Sequence, residues 1–152
     1  MPLDWHIRAA IASDAEGLTR CMHAAYAPYQ ARLGGAPLPP MLANYADEIR
    51  DCSCWVVDSA QGIIGGLIMQ FSADEASIAN IAVDPGFHGR GIGGVLMRLA
   101  ESAAAEQSCS HLTLATHRLL HENLSLYRHL GWREYGCEGD RVLFDKTIPS
   151  PR

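Results

Sequence analysis

The chain has 152 residues, 48% of them hydrophobic and 19% charged, and a formal net charge of −5 at pH 7. This composition is typical of a globular protein, and residues 1–152 are expected to form one domain with about two thirds of the unfolded surface buried. The acidic balance, without a basic run of five residues, disfavours nucleic-acid binding. No 18-residue apolar stretch and no signal-peptide pattern are present, so we expect a cytoplasmic protein that does not bind membranes.

The cysteine pattern argues against a metal or disulfide framework. The chain has five cysteines, an odd number, without the paired C-x-x-C spacing of zinc sites. We therefore expect reduced, mostly buried thiols and no metal.

The N-terminal third predicts one strand and two helices. His6 to Ile11 alternates weakly and predicts a first strand, and Ser13-Asp14-Ala15-Glu16 resembles a capping box before a helix from about Asp14 to Tyr26. Prolines and glycines make residues 27–40 a predicted loop, followed by a short helix from Met41 to Arg50. This region is either a plain connector or the lining of an acceptor pocket that includes Tyr26, Tyr29, Met41 and Tyr45.

The middle of the chain predicts three strands. Ser53 to Asp58 and Gly62 to Phe71 form a hairpin pattern, and Gly65-Gly66 inside the second strand suggests a bulge or a close backbone approach. A further strand runs from about Ala76 to Val83.

A glycine-rich loop follows that strand and leads into a helix. The helix, expected from Arg90 or Gly91 to Glu106, is indicated by helically spaced apolar residues at Ile92, Leu96, Leu99, Ala100 and Ala103. Glycines before a helix start leave backbone N–H groups without partners beside the positive end of the helix dipole. The stretch therefore predicts an anion site, most naturally for phosphate.

The glycines also match a dinucleotide-binding fingerprint. Gly89, Gly91 and Gly94 have G-x-G-x-x-G spacing, but that fold places an acidic residue at the tip of the next strand. The next predicted strand, His111 to Thr116, is followed by His117 instead of a carboxylate. Dinucleotide binding is therefore disfavoured.

The C-terminal part predicts a helix and a hairpin. The helix runs from about Leu119 to Leu130 and stops at Gly131, and the strands are Trp132 to Cys137 and Arg141 to Thr147. Helical spacing puts two polar residues on an apolar stripe consisting of Leu120, Asn123, Tyr127 and Leu130. Together these elements predict an α/β fold with a sheet of mixed direction.

Two segments resemble the GNAT superfamily of N-acetyltransferases. The first is Ile81-Ala82-Val83-Asp84-Pro85 followed by His88-Gly89-Arg90-Gly91-Ile92-Gly93, which is similar to the family's acetyl-CoA motif. The second, from Glu122 to Trp132, resembles the family's last helix and its Leu-Gly-aromatic ending. The resemblance implies a mixed, mostly antiparallel central sheet of about six to seven strands, flanked by about four helices, with splayed fourth and fifth strands.

The resemblance also implies a binding site for acetyl-CoA. The pyrophosphate would bind the loop, the pantetheine arm would pair with the fourth-strand edge at Ile81, Ala82 and Val83, and Asn123 would assist. The loop residues are His88, Gly89, Arg90, Gly91, Ile92, Gly93 and Gly94. His88 stands where the family has Gln or Arg, and Leu120 stands where many relatives have the asparagine. Arg90 is either a phosphate contact or a solvated charge, and Asn123 is either a ligand contact or a structural hydrogen bond.

Tyr127 is where the resemblance places the general acid for the leaving thiolate. Its alternative role is that of a core tyrosine with a satisfied hydroxyl. The base is undecided between Glu75, His117, His121 and water. The implied function is direct acetyl transfer in a ternary complex to a primary amine, with a small molecule favoured over a protein. The negative charge favours a small cationic amine over an acidic substrate. The alternative is a non-catalytic acyl-CoA-binding or regulatory module. Homodimers are common in the family.

Overall fold

The structure is a computed structural model that describes residues 4–149. Residues 1–3 and 150–152, which the single-domain expectation includes, lie outside the described part. Within residues 4–149 the chain forms seven strands and five α-helices: β1 Trp5–Ala9, α1 Ala15–Gln30, α2 Pro39–Leu42, α3 Tyr45–Asp51, β2 Ser53–Ser59, β3 Gly62–Phe71, β4 Glu75–Val83, α4 Ile92–Glu106, β5 His111–His117, α5 His121–His129, β6 Arg133–Glu138 and β7 Arg141–Thr147. No helix in this described range is long and apolar enough to cross a membrane.

The sheet has the order β1-β2-β3-β4-β5-β7-β6. β4 and β5 are parallel, whereas the β1–β2, β2–β3, β5–β7 and β6–β7 pairs are antiparallel, which confirms the mixed, mostly antiparallel sheet. The pairing of β4 with β5 joins Glu75–Ile78 to His111–Leu114 and ends there, consistent with splayed strands.

The chain forms two compact units. The first contains the described residues of Met1–Met69 together with Asn80–Met97, and the second contains Gln70–Ala79 together with the described residues of Arg98–Arg152. β4 and α4 contribute residues to both units. The single domain over the whole chain stays a prediction.

In the first unit, α1 packs tightly on β3. Leu18 and Met22 are fully buried, and a Cβ on Gly66 would lie 2.6 Å from the Leu18 Cδ1 atom. A side chain at Gly66 would therefore require the Leu18 side chain to shift. The pairing of β2 with β3 also shifts between Val57 and Asp58, which confirms the bulge, the first of the two predicted alternatives.

The predicted start of α1, about Asp14, agrees with the observed start at Ala15, but the predicted capping box and the predicted end at Tyr26 were wrong. The carboxylate at the helix start belongs to Asp14, whose Oδ2 accepts the Ile11 N–H at 2.8 Å and the Arg8 guanidinium at 2.8 Å, so Ser13 and Glu16 form no capping box. The helix continues through Pro28 to Gln30. Proline removes one N–H donor near the helix end, and the turn beyond it still closes because the Leu33 N–H bonds the Tyr29 carbonyl at 3.1 Å.

The predicted helix from Met41 to Arg50 is two helices. Ala43 and Asn44 are extended, and the Asn44 side chain accepts the Asp47 N–H at 3.1 Å. An asparagine that caps a following helix cannot continue the preceding one, which explains the break.

In the second unit, α5 ends as the sequence predicts, but its buried stripe differs. Gly131 has a φ of 89°, and the N–H groups of Gly131 and Trp132 bond the carbonyls of Arg128 and Tyr127. These bonds form a Schellman motif. Leu130 lies beyond the last helical residue and is 38% exposed, so its predicted inward position was wrong and Leu124 is buried instead.

Candidate active site

The end of β4 is a tight turn that leads into the glycine loop. Asp84 accepts the Gly86 N–H on its carboxylate at 2.8 Å, and residues Pro85–Phe87 form one 3-10 turn. The Asp84 N–H bonds the Ile64 carbonyl at 2.8 Å and so fixes the loop to β3. The start of the loop is thus held by the backbone of the first unit.

Two loop glycines have the left-handed backbone that the loop requires. Gly89 and Gly91 both have a φ of 80°, which residues with a Cβ rarely adopt. A Cβ at Gly89, Gly91 or Gly93 would meet no atom within 4 Å. The space in front of these three residues is therefore open to a ligand.

The loop leads directly into the start of α4. The helix begins at Ile92, and the Val95 N–H is bonded to the Gly91 carbonyl at 3.1 Å. The N–H groups of Ile92, Gly93 and Gly94 precede this bond and have no acceptor within the helix. These N–H groups and the positive end of the helix dipole form a site that suits an anion such as phosphate.

The two charged or titratable side chains of the loop contact residues that precede the loop. His88 is exposed, and its Nε2 lies 3.2 Å from the Val83 carbonyl oxygen at the end of β4. Arg90 is also exposed, and its guanidinium carbon lies 5.6 Å from the centre of the Phe87 ring. Arg90 remains able to reach an anion, whereas the His88 ring is turned back towards the strand.

The predicted fourth-strand edge carries one feature that the sequence interpretation missed. Ile81 and Val83 are half-buried and Ala82 is 8% exposed, so Ala82 lies on the more buried face of the strand. Asn80 beside them is buried, at 9% exposure. The signal was present in the sequence, because Ala76, Ile78, Asn80 and Ala82 alternate along the inward face of β4.

Asn80 connects two tyrosines of the first unit. The Tyr26 hydroxyl lies 3.0 Å from Asn80 Oδ1, and Asn80 Nδ2 lies 3.1 Å from the Tyr45 oxygen. The Tyr45 hydroxyl in turn bonds the Pro40 carbonyl. Tyr45 is only 2% exposed, and burial raises its pKa, so it is a core residue with no surface that could line an acceptor pocket.

The predicted catalytic tyrosine lies in the second unit. Tyr127 is 7% exposed, and its ring centre lies 6.0 Å from that of Trp132 in an edge arrangement and 5.7 Å from that of Phe144. Asn123 is half-buried, and its Nδ2 lies 3.3 Å from the Thr116 hydroxyl on β5. This bond orients Asn123 and occupies one of its two amide hydrogens.

The three candidate bases differ in position. Glu75 is the first residue of β4 and is paired with His111, so it lies at the end of the strand that is hydrogen-bonded to β5. His117 Nδ1 accepts the Leu119 N–H at 3.1 Å, and its Nε2 lies 3.7 Å from an Asp140 oxygen. His117 would have to break the Leu119 bond to take a proton at Nδ1. His121 is exposed at the first position of α5.

Comparison with known proteins identifies several relatives. The model of the acetyltransferase (GNAT) domain family matches residues 50–134. A streptothricin acetyltransferase from Streptomyces lavendulae is 33% identical over 103 residues, which are 66% of this chain and 53% of that protein. The chain therefore spans about half the length of this relative.

Two solved structures show the same fold. A PaiA N-acetyltransferase from Thermoplasma acidophilum, in complex with coenzyme A, has a TM-score of 0.83 and 18% identity over 95% of this chain and 99% of that chain. A ribosomal-protein-S18-alanine N-acetyltransferase from Escherichia coli has a TM-score of 0.76 and 19% identity over 98% of this chain and 96% of that chain. At these identities the likeness concerns the fold.

Proposed function

Because the chain belongs to the GNAT acetyltransferase family, we propose that it transfers the acetyl group of acetyl-CoA to a primary amine. The observation that carries this proposal is the anion site, in which two left-handed glycines and an open space precede the start of α4. The coenzyme A in the Thermoplasma relative supports the assignment of this site to acetyl-CoA. The proposal describes a cytoplasmic enzyme that needs no metal.

The proposed roles in binding follow from the positions of the residues. The N–H groups of the loop from His88 to Gly94 hold the pyrophosphate, and Arg90 adds a charge-assisted contact. The backbone of Ile81, Ala82 and Val83 pairs with the amides of the pantetheine arm, as an added strand would. Asn123 offers its remaining amide groups to the same arm.

The proposed reaction is a direct transfer in a ternary complex. Acetyl-CoA supplies the acetyl group as a thioester. The amine nitrogen forms a bond to the acetyl carbon, the carbon–sulfur bond breaks, and the Tyr127 hydroxyl donates its proton to the departing sulfur. Before the attack the cationic amine loses one proton to water or to His121, since Glu75 lies at the paired start of β4 and His117 already accepts a backbone N–H. After the transfer the nitrogen loses its second proton to solvent, and the Tyr127 phenolate takes up a proton from solvent.

We propose a small cationic amine as the acceptor. The streptothricin acetyltransferase is the relative with the highest sequence identity described above, and its name specifies a small-molecule substrate. The net charge of −5 also favours a cation over an acidic substrate.

An acceptor screen tests the proposal. The purified chain is incubated with acetyl-CoA and an amine panel consisting of streptothricin, spermidine, L-lysine and benzylamine, and acetylated products are measured by mass spectrometry. We expect turnover of at least one cationic member, abolished when acetyl-CoA is replaced by CoA. Saturable acetyl-CoA binding without turnover of any amine would contradict the proposed acetyltransferase activity and favour a non-catalytic acyl-CoA-binding module.

A further inference from the structure

The hydrogen-bonded chain Tyr26–Asn80–Tyr45–Pro40, here called the tyrosine relay, lies in the first unit. Its inner end is the Pro40 carbonyl, and its outer end is the half-buried Tyr26 hydroxyl. The outer end lies against β4, because the Tyr26 oxygen is also 3.5 Å from the Ile81 carbonyl oxygen. Ile81 belongs to the strand edge proposed to pair with the acyl arm.

The Pro40 carbonyl at the inner end of the relay determines which group donates in each hydrogen bond of the relay. A carbonyl can only accept, so the Tyr45 hydroxyl donates its proton to Pro40. The Tyr45 oxygen must then accept from Asn80, which turns the Asn80 NH₂ group towards Tyr45. The Asn80 oxygen therefore faces Tyr26, and the Tyr26 hydroxyl donates to it.

This direction determines what the Tyr26 oxygen can do for a ligand. With its proton directed to Asn80, the phenol oxygen interacts with a ligand as an acceptor. An accepting phenol oxygen suits a group rich in N–H donors, such as a primary amine.

Burying the polar side chain of Asn80 costs folding free energy that an apolar side chain at this position would not cost. Asn80 lies in a row of apolar side chains on β4 and near the cluster that includes Leu18, Met22 and Tyr45. A buried amide is tolerated when its groups are hydrogen-bonded, and each lost partner costs stability. Asn80 makes both of its bonds to tyrosines, which holds its amide in one orientation.

We propose that Tyr26 is a contact residue for the acceptor amine, whose N–H it accepts on its phenol oxygen, and that Asn80 is the positioning residue that keeps Tyr26 in this state. This inference rests on the proposed function and assigns part of its acceptor site.

Tyr26→Phe is the primary test. The substrate is the member of the amine panel with the highest wild-type kcat/KM. We expect the KM for this amine to rise about ten-fold, the effect of one lost hydrogen bond, and the Kd for acetyl-CoA to stay within about two-fold. Tyr135→Phe is the matched control, because Tyr135 is 50% exposed on β6 in the second unit.

Asn80→Ala and the double variant Tyr26→Phe/Asn80→Ala distinguish a role of Asn80 in positioning Tyr26 from a role in the stability of the fold alone. Without its acceptor on Asn80, the Tyr26 proton can turn towards the amine, so Asn80→Ala should also raise the KM. The double variant should lose no more kcat/KM than Tyr26→Phe alone, because both changes remove one contact. Thermal melts show whether each variant is folded at the assay temperature.

The outcomes separate this inference from the proposed function. A wild-type protein that turns over no amine contradicts the proposed function. An active wild type with an unchanged amine KM in Tyr26→Phe overturns the inference alone. A raised Kd for acetyl-CoA with an unchanged amine KM would also overturn it, since the Tyr26 contact would then be with the pantetheine arm.

Discussion

The imidazole Nε2 of His88 lies 3.2 Å from the carbonyl oxygen of Val83, so the side chain at the first loop position bonds the end of β4. The resemblance implies a phosphate contact for His88. Because the His88 ring is turned towards β4, we propose that the backbone N–H groups of the loop and Arg90 bind the phosphates.

Variants of His88 and Arg90 should therefore differ in their effect on acetyl-CoA binding. We expect His88→Ala to change the Kd by less than about three-fold and Arg90→Ala to raise it about five-fold, the effect of one exposed charge-assisted contact. The Arg90 effect should shrink at high salt because the charge is exposed. Calorimetry at two salt concentrations measures both effects, and a ten-fold loss in His88→Ala would contradict this account of the loop.

Tyr127→Phe tests the general acid. The change removes only the hydroxyl and keeps the ring that packs on Trp132 and Phe144, and a thermal melt shows whether the variant is folded at the assay temperature. We expect kcat to fall at least about ten-fold while the Kd for acetyl-CoA is kept. Tyr135→Phe is again the control, and an unchanged kcat in Tyr127→Phe would remove Tyr127 from the mechanism.

The glycine conformations of the loop and the C-terminal end of α5 were predictable from the sequence because residues close by in the chain determine them. Gly89 and Gly91 adopt the positive φ that favours glycine, and Gly131 closes a Schellman motif. The inward row on β4 was equally available from alternation, yet nothing in the sequence pairs Asn80 with Tyr26 and Tyr45. Those partners are 54 and 35 residues away along the chain and meet only through tertiary packing.

The errors occurred where two local signals compete. Ser13 and Asp14 are both residue types that cap helices, and the Asp14 carboxylate instead accepts hydrogen bonds from Arg8 of β1 and from the Ile11 N–H. Pro28 normally marks a helix boundary, but here it falls near the end of a packed helix and costs only one bond. The apolar stripe of α5 allows Leu124 or Leu130 until the end of the helix is known.

Asp14→Asn should destabilise the protein in a pH-dependent way. The hydrogen bond from Arg8 lowers the pKa of Asp14, so the ionised carboxylate stabilises the fold above its unfolded pKa of about 3.9 and loses this effect as the pH falls through the lower folded value. At pH 7 we expect a loss of about 1–2 kcal/mol, between the values for exposed and buried ion pairs.

Thermal melts from pH 7 to pH 2 measure this prediction. The difference between Asp14→Asn and wild type should shrink below about pH 4. Asp51→Asn is the control, because Asp51 pairs with Arg50 in an exposed position and should shift the melting temperature little. A difference that is constant with pH would show that Asp14 acts through its shape and neutral hydrogen bonds.

The thiols should react in an order set by burial. Burial raises the pKa of Cys21 to about 12 and that of Cys54 to about 12, so both are un-ionised at pH 8. Cys137 is exposed on β6. Iodoacetamide followed by peptide mass spectrometry should find Cys137 modified first and Cys21 and Cys54 modified only in denaturant. Rapid native labelling of Cys21 would contradict the packing of α1.

The most direct test of the central claim is calorimetric titration with acetyl-CoA and with NAD of the wild type, Gly91→Glu and Gly34→Glu. Both glycines have a positive φ, 80° and 78°, and open space at their Cβ positions, so both variants carry the same strain and charge. Only Gly91 lies in the proposed phosphate loop. We predict micromolar binding of acetyl-CoA to the wild type and Gly34→Glu, none to Gly91→Glu, and no binding of NAD. Binding of NAD alone, of neither ligand, or of acetyl-CoA equally to all three proteins would contradict the assignment of this loop.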